Sequence, residues 1–443
     1  MSDVAVTAAA TALAPEAAAA EFLRSLVKPA HILVAISGGS DSTGLLIALA
    51  EQLNSSLHSK VTLSAVTIDH GLRAGAADEA LKVAALCAQR GISHFTRRWD
   101  GDKPKSGIMA AAREARYELM ADLAGEISAD VIVTAHTADD QRETLAMRRA
   151  RGGKAKDEGG TGIADAMLFD RRIWIVRPFL SCTRADIRAY LEEYGVSWLE
   201  DPSNEDTRYE RVRTRMHLAV QPPLVLAANI GAKRTALAEK AATWLDEHVT
   251  VHAEALCDIR RAAFSADPAV IAYALSYLTA VFGGGAYGPG RKQMERVRDF
   301  VNAGIPGRRT VGGVVFDLRR EALFLMRESR NIEPLALAPG AAGVWDGRFE
   351  VTNQGLAPIC VKASGMDGAQ VFPPNLPRGA VQRARAAMPL FVSNDAGVAP
   401  IVAVAPYLAP FDRFLTRFDL MFADRLSIAF GRQAYRRLPL SVL

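Results

Sequence analysis

The stretch His31-Ile32-Leu33-Val34-Ala35-Ile36-Ser37-Gly38-Gly39-Ser40-Asp41-Ser42 decides the fold class. Its apolar first half is typical of a buried parallel strand, and residues 43–49 continue it with a helical pattern. Two glycines let the backbone turn sharply, and Ser40 and Asp41 favour a helix start. Because free N–H groups at a helix start bind anions, residues 37–42 are predicted to hold a polyphosphate.

This loop differs from the P-loop of kinases and GTPases. That loop needs Gly-Lys followed by Ser or Thr, and no such triplet occurs in the chain. The pattern resembles instead the loop of ATP pyrophosphatases, enzymes that adenylylate an oxygen and release pyrophosphate. The alternative is a Gly-Gly-Ser turn with a purely structural role.

Composition limits the class of protein. A chain of 443 residues predicts two or three domains, and 49% hydrophobic with 23% charged residues is typical of a soluble globular protein. The net charge of +4 is compatible with nucleic-acid binding but does not establish it. We expect no membrane span and no cleaved signal, because no apolar run is long enough and the Ala-rich start lacks a basic leader.

The four cysteines, Cys87, Cys182, Cys257 and Cys360, are far apart and form no Cys-x-x-Cys pair. This spacing argues against a zinc ribbon, an iron–sulfur cluster and a dithiol redox site. Buried, inert thiols in a reducing cytoplasm are the simplest interpretation, so we expect a cytoplasmic protein.

Strands and helices alternate between about residues 30 and 180, which predicts a doubly wound parallel sheet. Further along, residues 224–305 look mainly helical, and residues 310–326 alternate like short antiparallel strands. Four segments are predicted: an Ala-rich tail with a leading helix (1–28), a catalytic α/β domain (29–220), a mainly helical domain (221–330) and a smaller α+β or β-rich domain (331–443).

Polar clusters follow three predicted strands, after Ile36, Ile68 and Ala135. Ligands of such sheets bind outside the carboxyl ends of the strands, so the clusters are expected to converge. Asp41 and Asp140 are predicted to hold Mg²⁺ together with phosphate oxygens, and His136 to contact the phosphates or a reacting base. A simpler interpretation makes Asp139 or Asp140 a helix cap.

Arginines flank these clusters. Arg113 or Arg116 is expected to stabilise charge beside a triphosphate, unless this helix face is merely solvated. Four more, Arg208, Arg211, Arg213 and Arg215, would suit an RNA backbone or a solvated face. The Gly-rich charged segment 150–162 is either a lid or a surface linker.

Together these motifs resemble the tRNA(Ile)-lysidine synthetase family over about residues 30–215. The matching segments are residues 37–42, Asp69-His70-Gly71-Leu72-Arg73, Ala110-Ala111-Ala112-Arg113 with Tyr117, Ala135-His136, Asp139-Asp140-Gln141, Glu143-Thr144, Arg151-Gly152, Arg177-Pro178 and Glu200-Asp201-Pro202-Ser203-Asn204. The Asp-His-Gly-Leu-Arg and Asp-Pro-Ser-Asn segments are the most specific, since the first motif is shared by several ATP pyrophosphatases.

The resemblance implies a fold of the adenine nucleotide α-hydrolase type and a reaction in two steps. ATP adenylylates the C2 oxygen of the wobble cytidine in the CAU anticodon of tRNA(Ile), and free L-lysine then displaces AMP. It implies ATP binding by Ser37, Gly38, Gly39, Ser40, Asp41 and Ser42, and catalytic roles for Asp41, His136, Asp140 and Arg113. It also implies tRNA contacts from the arginines of 208–215 and from the segment 221–330. Members of the family are monomers or dimers.

The chain departs from the family pattern at two places. Thr137 stands where a second His is usual, and residues 152–161 replace a tight Arg-Gly-Ser-Gly loop. Two other functions are therefore weighed: a different ATP pyrophosphatase, such as a tRNA thiolase or an amidotransferase synthetase, and a non-catalytic tRNA-binding protein. Thiolases need paired cysteines, which are absent here, and a decayed site would be expected to lose its carboxylates first.

Overall fold

The computed structural model describes residues 12–55, 60–71, 75–101, 103–104, 106–152, 161–200, 210–219, 230–365, 368–393, 395 and 397–441. The chain forms two compact units, residues 1–233 with 436–443 and residues 234–435. None of the described helices is both long enough and apolar enough to cross a membrane.

The first unit is an α/β layer structure. Its helices are α1 Pro15–Ser25, α2 Ser40–Asn54, α3 Ala76–Gln89, α4 Ile108–Glu126, α5 Ala138–Gly152, α6 Arg184–Glu193 and α7 Glu210–Ala219, with a 3-10 turn at Pro178–Ser181. Its strands are β1 Ala30–Ala35, β2 Val61–Asp69, β3 Ser93–Arg98, β4 Val131–Val133, β5 Ala166–Phe169 and β6 Ile173–Val176.

These strands lie side by side in the order β5-β6-β4-β1-β2-β3. β1 is parallel to both β2 and β4, and β4 is parallel to β6, whereas β5 is antiparallel to β6. The strand order therefore reverses between β1 and β4. Ligands of doubly wound sheets bind at such a switch point. The predicted parallel sheet is confirmed, with one antiparallel strand that its short apolar run could not reveal.

Burial explains the central strand and the helix that follows it. Ile32, Leu33 and Val34 of β1 are fully buried, as expected for a strand covered on both faces. In α2, Gly44 allows close approach of α6: a methyl group built on its Cα would lie 2.4 Å from Cγ2 of Ile187. α6 can pack this closely against α2 because Gly44 has no side chain.

From Ile230 onwards helices and antiparallel strands mix. The helices are α8 Ile230–His248, α9 Pro268–Gly283, α10 Arg291–Asn302, α11 Arg378–Ala386 and α12 Leu420–Ala429, with 3-10 turns at Arg261–Ser265 and Arg417–Asp419. The strands are β7 Val249–His252, β8 Leu256–Arg260, β9 Gly307–Val311, β10 Val314–Leu318, β11 Ala322–Arg327, β12 Leu335–Leu337, β13 Ala342–Trp345, β14 Phe349–Asn353, β15 Ile359–Ala363, β16 Pro389–Ser393, β17 Val402–Pro406 and β18 Phe414–Thr416.

The second unit contains a sheet in the order β7-β8-β11-β10-β9 and two three-stranded sheets, β12-β15-β16 and β13-β14-β17. The antiparallel strands predicted within residues 310–326 are present as the β9-β10-β11 meander. Within the segment expected to be mainly helical, β7 and β8 are additional strands. β8 pairs with the distant β11, and such tertiary pairing overrides a weak local signal.

The turn Trp345-Asp346-Gly347 is the centre of a buried ion-pair cluster. Asp346 has a positive φ of 49°, and its carboxylate accepts bonds from Arg327 (Nη2 to Oδ1, 2.9 Å) and Arg348 (Nε to Oδ2, 2.7 Å). All three side chains are less than 10% exposed. This cluster joins β11 to the β13–β14 hairpin inside the second unit.

Candidate active site

The nucleotide loop turns directly from β1 into α2. Gly38 has a φ of +86°, and Gly39, in extended conformation, precedes the first helical residue Ser40. The cap is therefore Gly39 rather than Ser40 or Asp41, and in this described loop no side chain caps the helix. The N–H groups of the first turn thus remain oriented toward an incoming anion, which suits a phosphate.

Gly38 is also required by close packing. Its carbonyl accepts hydrogen bonds from the Leu199 backbone N–H (2.8 Å) and from Thr43 Oγ1 (3.2 Å). A methyl group on Gly38 would lie 2.6 Å from Leu199 Cδ1. The glycine therefore lets the segment before residue 200 approach and brace the loop.

The carboxyl ends of β1, β2 and β4 open into one cleft of about 1620 Å³. The residues proposed from sequence that line it are Ser37, Gly39, Ser40, Asp41, Ser42, His136, Asp140, Arg211 and Arg215. The three polar clusters that follow these strands do converge, as the strand-end argument predicts. Arg208 and the Asp201–Asn204 motif lie outside the described residues, as do the lid or linker residues 153–160.

Arg184, the first residue of α6, links three carboxylates at the floor of the cleft. Its Nε lies 3.2 Å from Asp41 Oδ2, its Nη2 2.5 Å from Asp140 Oδ1 and its Nη1 2.9 Å from Glu143 Oε1. One guanidinium therefore fixes the two aspartates predicted to hold a metal. Arg184 is not among the site residues predicted from the sequence, because its contacts with Asp41 and Asp140 are purely tertiary.

Thr137 and Asp140 form a reciprocal cap at the start of α5. Asp140 Oδ2 accepts bonds from the Thr137 backbone N–H (2.8 Å) and hydroxyl (3.2 Å), and the Asp140 N–H donates to Thr137 Oγ1 (3.3 Å). Thr137 is thus the helix cap, and it orients Asp140 rather than supplying an imidazole. The capping and metal-binding interpretations of Asp140 are compatible, because only Oδ2 takes part in the cap.

Glu143, one turn after Asp140, is a second residue that the sequence analysis did not select as a site residue. It is 2% exposed and accepts bonds from Arg184, from Arg211 Nε (2.6 Å) and from Arg215 Nε (2.8 Å). Burial alone would raise its pKa, but the bonds from Arg215, Arg184 and Arg211 lower that pKa to about 2. Its spacing of three residues from Asp140 could have indicated a site residue, because that spacing places both side chains on one face of a helix.

Two further groups have shifted pKa values. Burial, reinforced by Arg177 and Arg116, holds the pKa of His136 well below its usual range, so the imidazole is neutral at neutral pH. Burial raises the pKa of Asp41; Arg184 opposes this shift and the charge of Asp140 adds to it. Both aspartates contact the same Arg184 guanidinium, so their carboxylates lie close enough to repel.

The arginines predicted from sequence take different positions. Arg116 lines the cleft, whereas Arg113 is exposed and its guanidinium lies 5.2 Å from the Tyr117 ring centroid. Arg213 is exposed on α7. Arg211 and Arg215 face the carboxylates, with Arg211 Nη2 2.8 Å from Asp140 Oδ1. α7 therefore contacts the site through the same side chains that the sequence proposes for RNA.

The base of segment 153–160 is held to α5. Gln141 Nε2 donates to the Ile163 carbonyl (2.7 Å), and the Ile163 N–H donates back to Gln141 Oε1 (2.6 Å). Arg148 Nη1 also bonds the carbonyls of Thr161 and Gly162. Ile163, which follows the segment, is thus held by Gln141, the residue next to Asp140.

The donor set fits a magnesium ion. No group of three or more His, Cys, Asp or Glu side chains with metal-binding geometry occurs among the described residues. Two neighbouring carboxylates are what Mg²⁺ needs when phosphates and water complete its coordination. The thiols do not contribute: burial raises the pKa of Cys87 to about 11 and that of Cys182 to about 12, which disfavours thiolates.

A model of the PP-loop domain matches residues 13–221, so fold and site define a PP-loop protein that uses ATP. The chain is 41% identical over 95% of its length to the tRNA(Ile)-lysidine synthase of Rhizobium meliloti (strain 1021), covering 96% of that protein. It is 37% identical over 92% of its length to that of Mesorhizobium japonicum, covering 94%. The chain belongs to the tRNA(Ile)-lysidine synthase family, which confirms the resemblance drawn from the motifs.

Proposed function

We propose that this enzyme joins L-lysine to C2 of the wobble cytidine in the CAU anticodon of tRNA(Ile), with ATP as the activating substrate. The observation that carries the proposal is the cleft in which an uncapped helix start, Asp41 and Asp140 meet, in a chain of this family. The product would pair with adenine, so the codon read would change from AUG to AUA.

The first step would be attack of the cytidine O2 on the α-phosphorus of ATP, with pyrophosphate leaving. Residues 37–42 would bind the phosphates through backbone N–H groups. Asp41 and Asp140 would hold Mg²⁺, which neutralises phosphate charge when bound. Arg116, which lines the cleft, would stabilise the negative charge of the departing pyrophosphate. Arg113, which does not line the cleft, would add a longer-range electrostatic attraction.

The second step would be attack of the lysine ε-amine on C2, with AMP leaving and the amine losing its proton. Glu143 is not the base for this proton, because its pKa of about 2 makes it a very weak one. His136, held neutral by its surroundings, would contact the phosphates or the cytosine without adding a charge.

In the first unit, RNA would contact the arginines of α7. Arg213 is exposed on α7, and Arg208, Arg211 and Arg215 complete the proposed set. In the second unit a groove of about 670 Å³ is lined by Arg296, Arg308 and Arg309, whose charges suit a phosphate backbone. We retain 29–220 as catalytic and 221–330 as tRNA-binding segments, in a cytoplasmic enzyme that is a monomer or homodimer.

Incorporation of labelled lysine into a CAU-anticodon tRNA(Ile), with ATP and Mg²⁺, tests the function. Asp41→Asn should abolish release of pyrophosphate but leave the tRNA dissociation constant within about twofold, because Asp41 faces the phosphates. No incorporation by the wild-type chain would refute the function. Equal loss of adenylylation and tRNA affinity in the variant would refute the role of Asp41.

A further inference from the structure

Arg184 contacts both of the carboxylates that are proposed to hold the metal. Its guanidinium lies between Asp41 and Asp140 and is anchored at its third nitrogen by the buried Glu143. Arg188, one turn later on α6, also lines the cleft, but its Nη2 lies 3.6 Å from Glu200 instead. The two arginines thus share a helix and a cleft but only one contacts the aspartates.

Asp140 has little remaining capacity to accept another ligand. Its Oδ2 accepts two bonds from Thr137, and its Oδ1 accepts one each from Arg184 and Arg211. A carboxylate offers about four lone-pair sites, and four donors are present. A metal ion can therefore bind Oδ1 only if an arginine leaves it. Because Arg211 does not contact Asp41, its departure would still leave Arg184 between the two aspartates.

We propose that Arg184 is a positioning residue that serves as an internal counter-cation for Asp41 and Asp140 and exchanges places with the metal when ATP enters. The inference rests on the proposed magnesium site and adds its regulation. Asp41 and Asp140 both contact the Arg184 guanidinium, and a cation shared by two carboxylates offsets their mutual repulsion. The triphosphate would give the released guanidinium a new bidentate partner, so no charge is left unpaired.

Glu143 would keep Arg184 attached to the site during this exchange. It bonds Arg184 through a nitrogen that neither aspartate uses, so Arg184 can rotate away from both aspartates and stay attached. The same carboxylate holds Arg211 and Arg215 of α7. Metal entry alone would be opposed by Arg184, whereas metal and nucleotide together would be accepted.

Binding of Mn²⁺ without nucleotide, followed by electron paramagnetic resonance, tests the inference. Arg184→Gln should bind Mn²⁺ at least about tenfold more tightly than the wild-type protein, because the competing cation is gone. Arg188→Gln removes the same charge from the same helix and should change the affinity by less than about threefold. Equal affinities of Arg184→Gln and the wild-type protein, or equal gains in both variants, would overturn the inference.

Asp41→Asn separates this inference from the proposed site. If that variant does not weaken Mn²⁺ binding in the presence of ATP, the metal site itself is wrong. If it does, but Arg184→Gln changes nothing, only the role of Arg184 is wrong. Should Arg184→Gln fail to fold, labelling of wild-type arginines with phenylglyoxal replaces it: saturating Mn²⁺ should speed the labelling of Arg184 relative to Arg188, and an unchanged ratio would refute the exchange.

Discussion

The pKa of each acid in this site depends on the charged side chains that surround it. Asp41, which is partly buried, and Glu143, which is buried, both bond Arg184, yet their pKa values shift in opposite directions. Asp41 has one arginine and a repelling Asp140, whereas Glu143 has three arginines. The number of cations that reach each carboxylate, and not its burial alone, decides the sign of the shift.

The variant Glu143→Gln, studied at neutral and acidic pH, tests whether the three arginines lower the pKa of Glu143. Removing the charge leaves three arginines without their common partner, so the free energy of unfolding at pH 7 should fall by about 3 kcal/mol. A lowered pKa stabilises the folded state fully above the unfolded value of about 4.5, and the stabilisation is lost as pH falls toward 2. The difference between wild type and variant should therefore shrink over this window.

Urea unfolding at a series of pH values from 7 to 3 measures the difference. Glu350→Gln serves as a control, because this exposed acid lies on β14 of the second unit, whereas Glu143 is in the first. A difference between wild type and Glu143→Gln that stays constant down to pH 3 would show that packing, and not charge, accounts for the loss.

At this scale the sequence predicts part of the site. Asp41, His136 and Asp140 are selected because polar residues at strand ends must meet at one edge of a parallel sheet. Arg184 is 44 residues from Asp140, and its role follows only from where α6 packs. The sequence pattern holds no periodicity that would reveal such a contact.

Helices set the positions of these side chains, and α2 and α6 do so together. α2 carries Asp41 in its first turn and α6 begins at Arg184, so the spacing between the helices sets the distance between the two groups. Gly44 and Ile187 control that spacing.

Gly44→Ala should destabilise the protein by about 1–3 kcal/mol, because the new methyl group overlaps Ile187. Ile187→Leu moves the branch from Cβ to Cγ and should relieve the overlap, so the double variant should be more stable than the sum of the single effects predicts. Gly125→Ala in α4 is the control: nothing lies near its added methyl group, and the change should stabilise by up to about 1 kcal/mol. Strict additivity in the double-mutant cycle would contradict the packing argument.

Elements with strong local patterns were predicted well. The alternation of strands and helices predicted between about residues 30 and 180 is present as β1–β6 and α2–α5. β7 and β8 were not predicted because each is four or five residues long and is defined by partners in the sheet. Short strands of this kind carry too few alternations for a period to emerge.

On the scale of the whole molecule, each unit has its own buried charges. In the second unit Asp346 neutralises two arginines, Arg327 and Arg348, in a region that apolar side chains otherwise fill. Arg348 is a neighbour in the same turn, but Arg327 comes from β11, so its pairing with Asp346 follows only from tertiary packing.

Asp346→Asn should cost about 3–5 kcal/mol, since it leaves two buried guanidinium groups without a counter-charge. Asparagine tolerates the positive φ of this position, so the turn itself should survive. Asp299→Asn, at an exposed pair on α10, should have no measurable effect. Guanidinium-induced unfolding measures stability, and binding of a fluorescent ATP analogue, which concerns residues of the first unit only, should be unchanged. Weakened nucleotide binding by the folded Asp346→Asn protein would argue against this local role.

The bond pair between Gln141 and Ile163 has a consequence for how this chain tolerates change. It closes the segment between α5 and β5 at its base, so the ends stay at a fixed distance whatever lies between them. Each doubling of a closed segment's length costs only about 0.6 kcal/mol of chain entropy. We therefore expect that residues can be gained, lost or replaced by a reporter sequence between α5 and β5 while Asp140, the neighbour of Gln141, keeps its place.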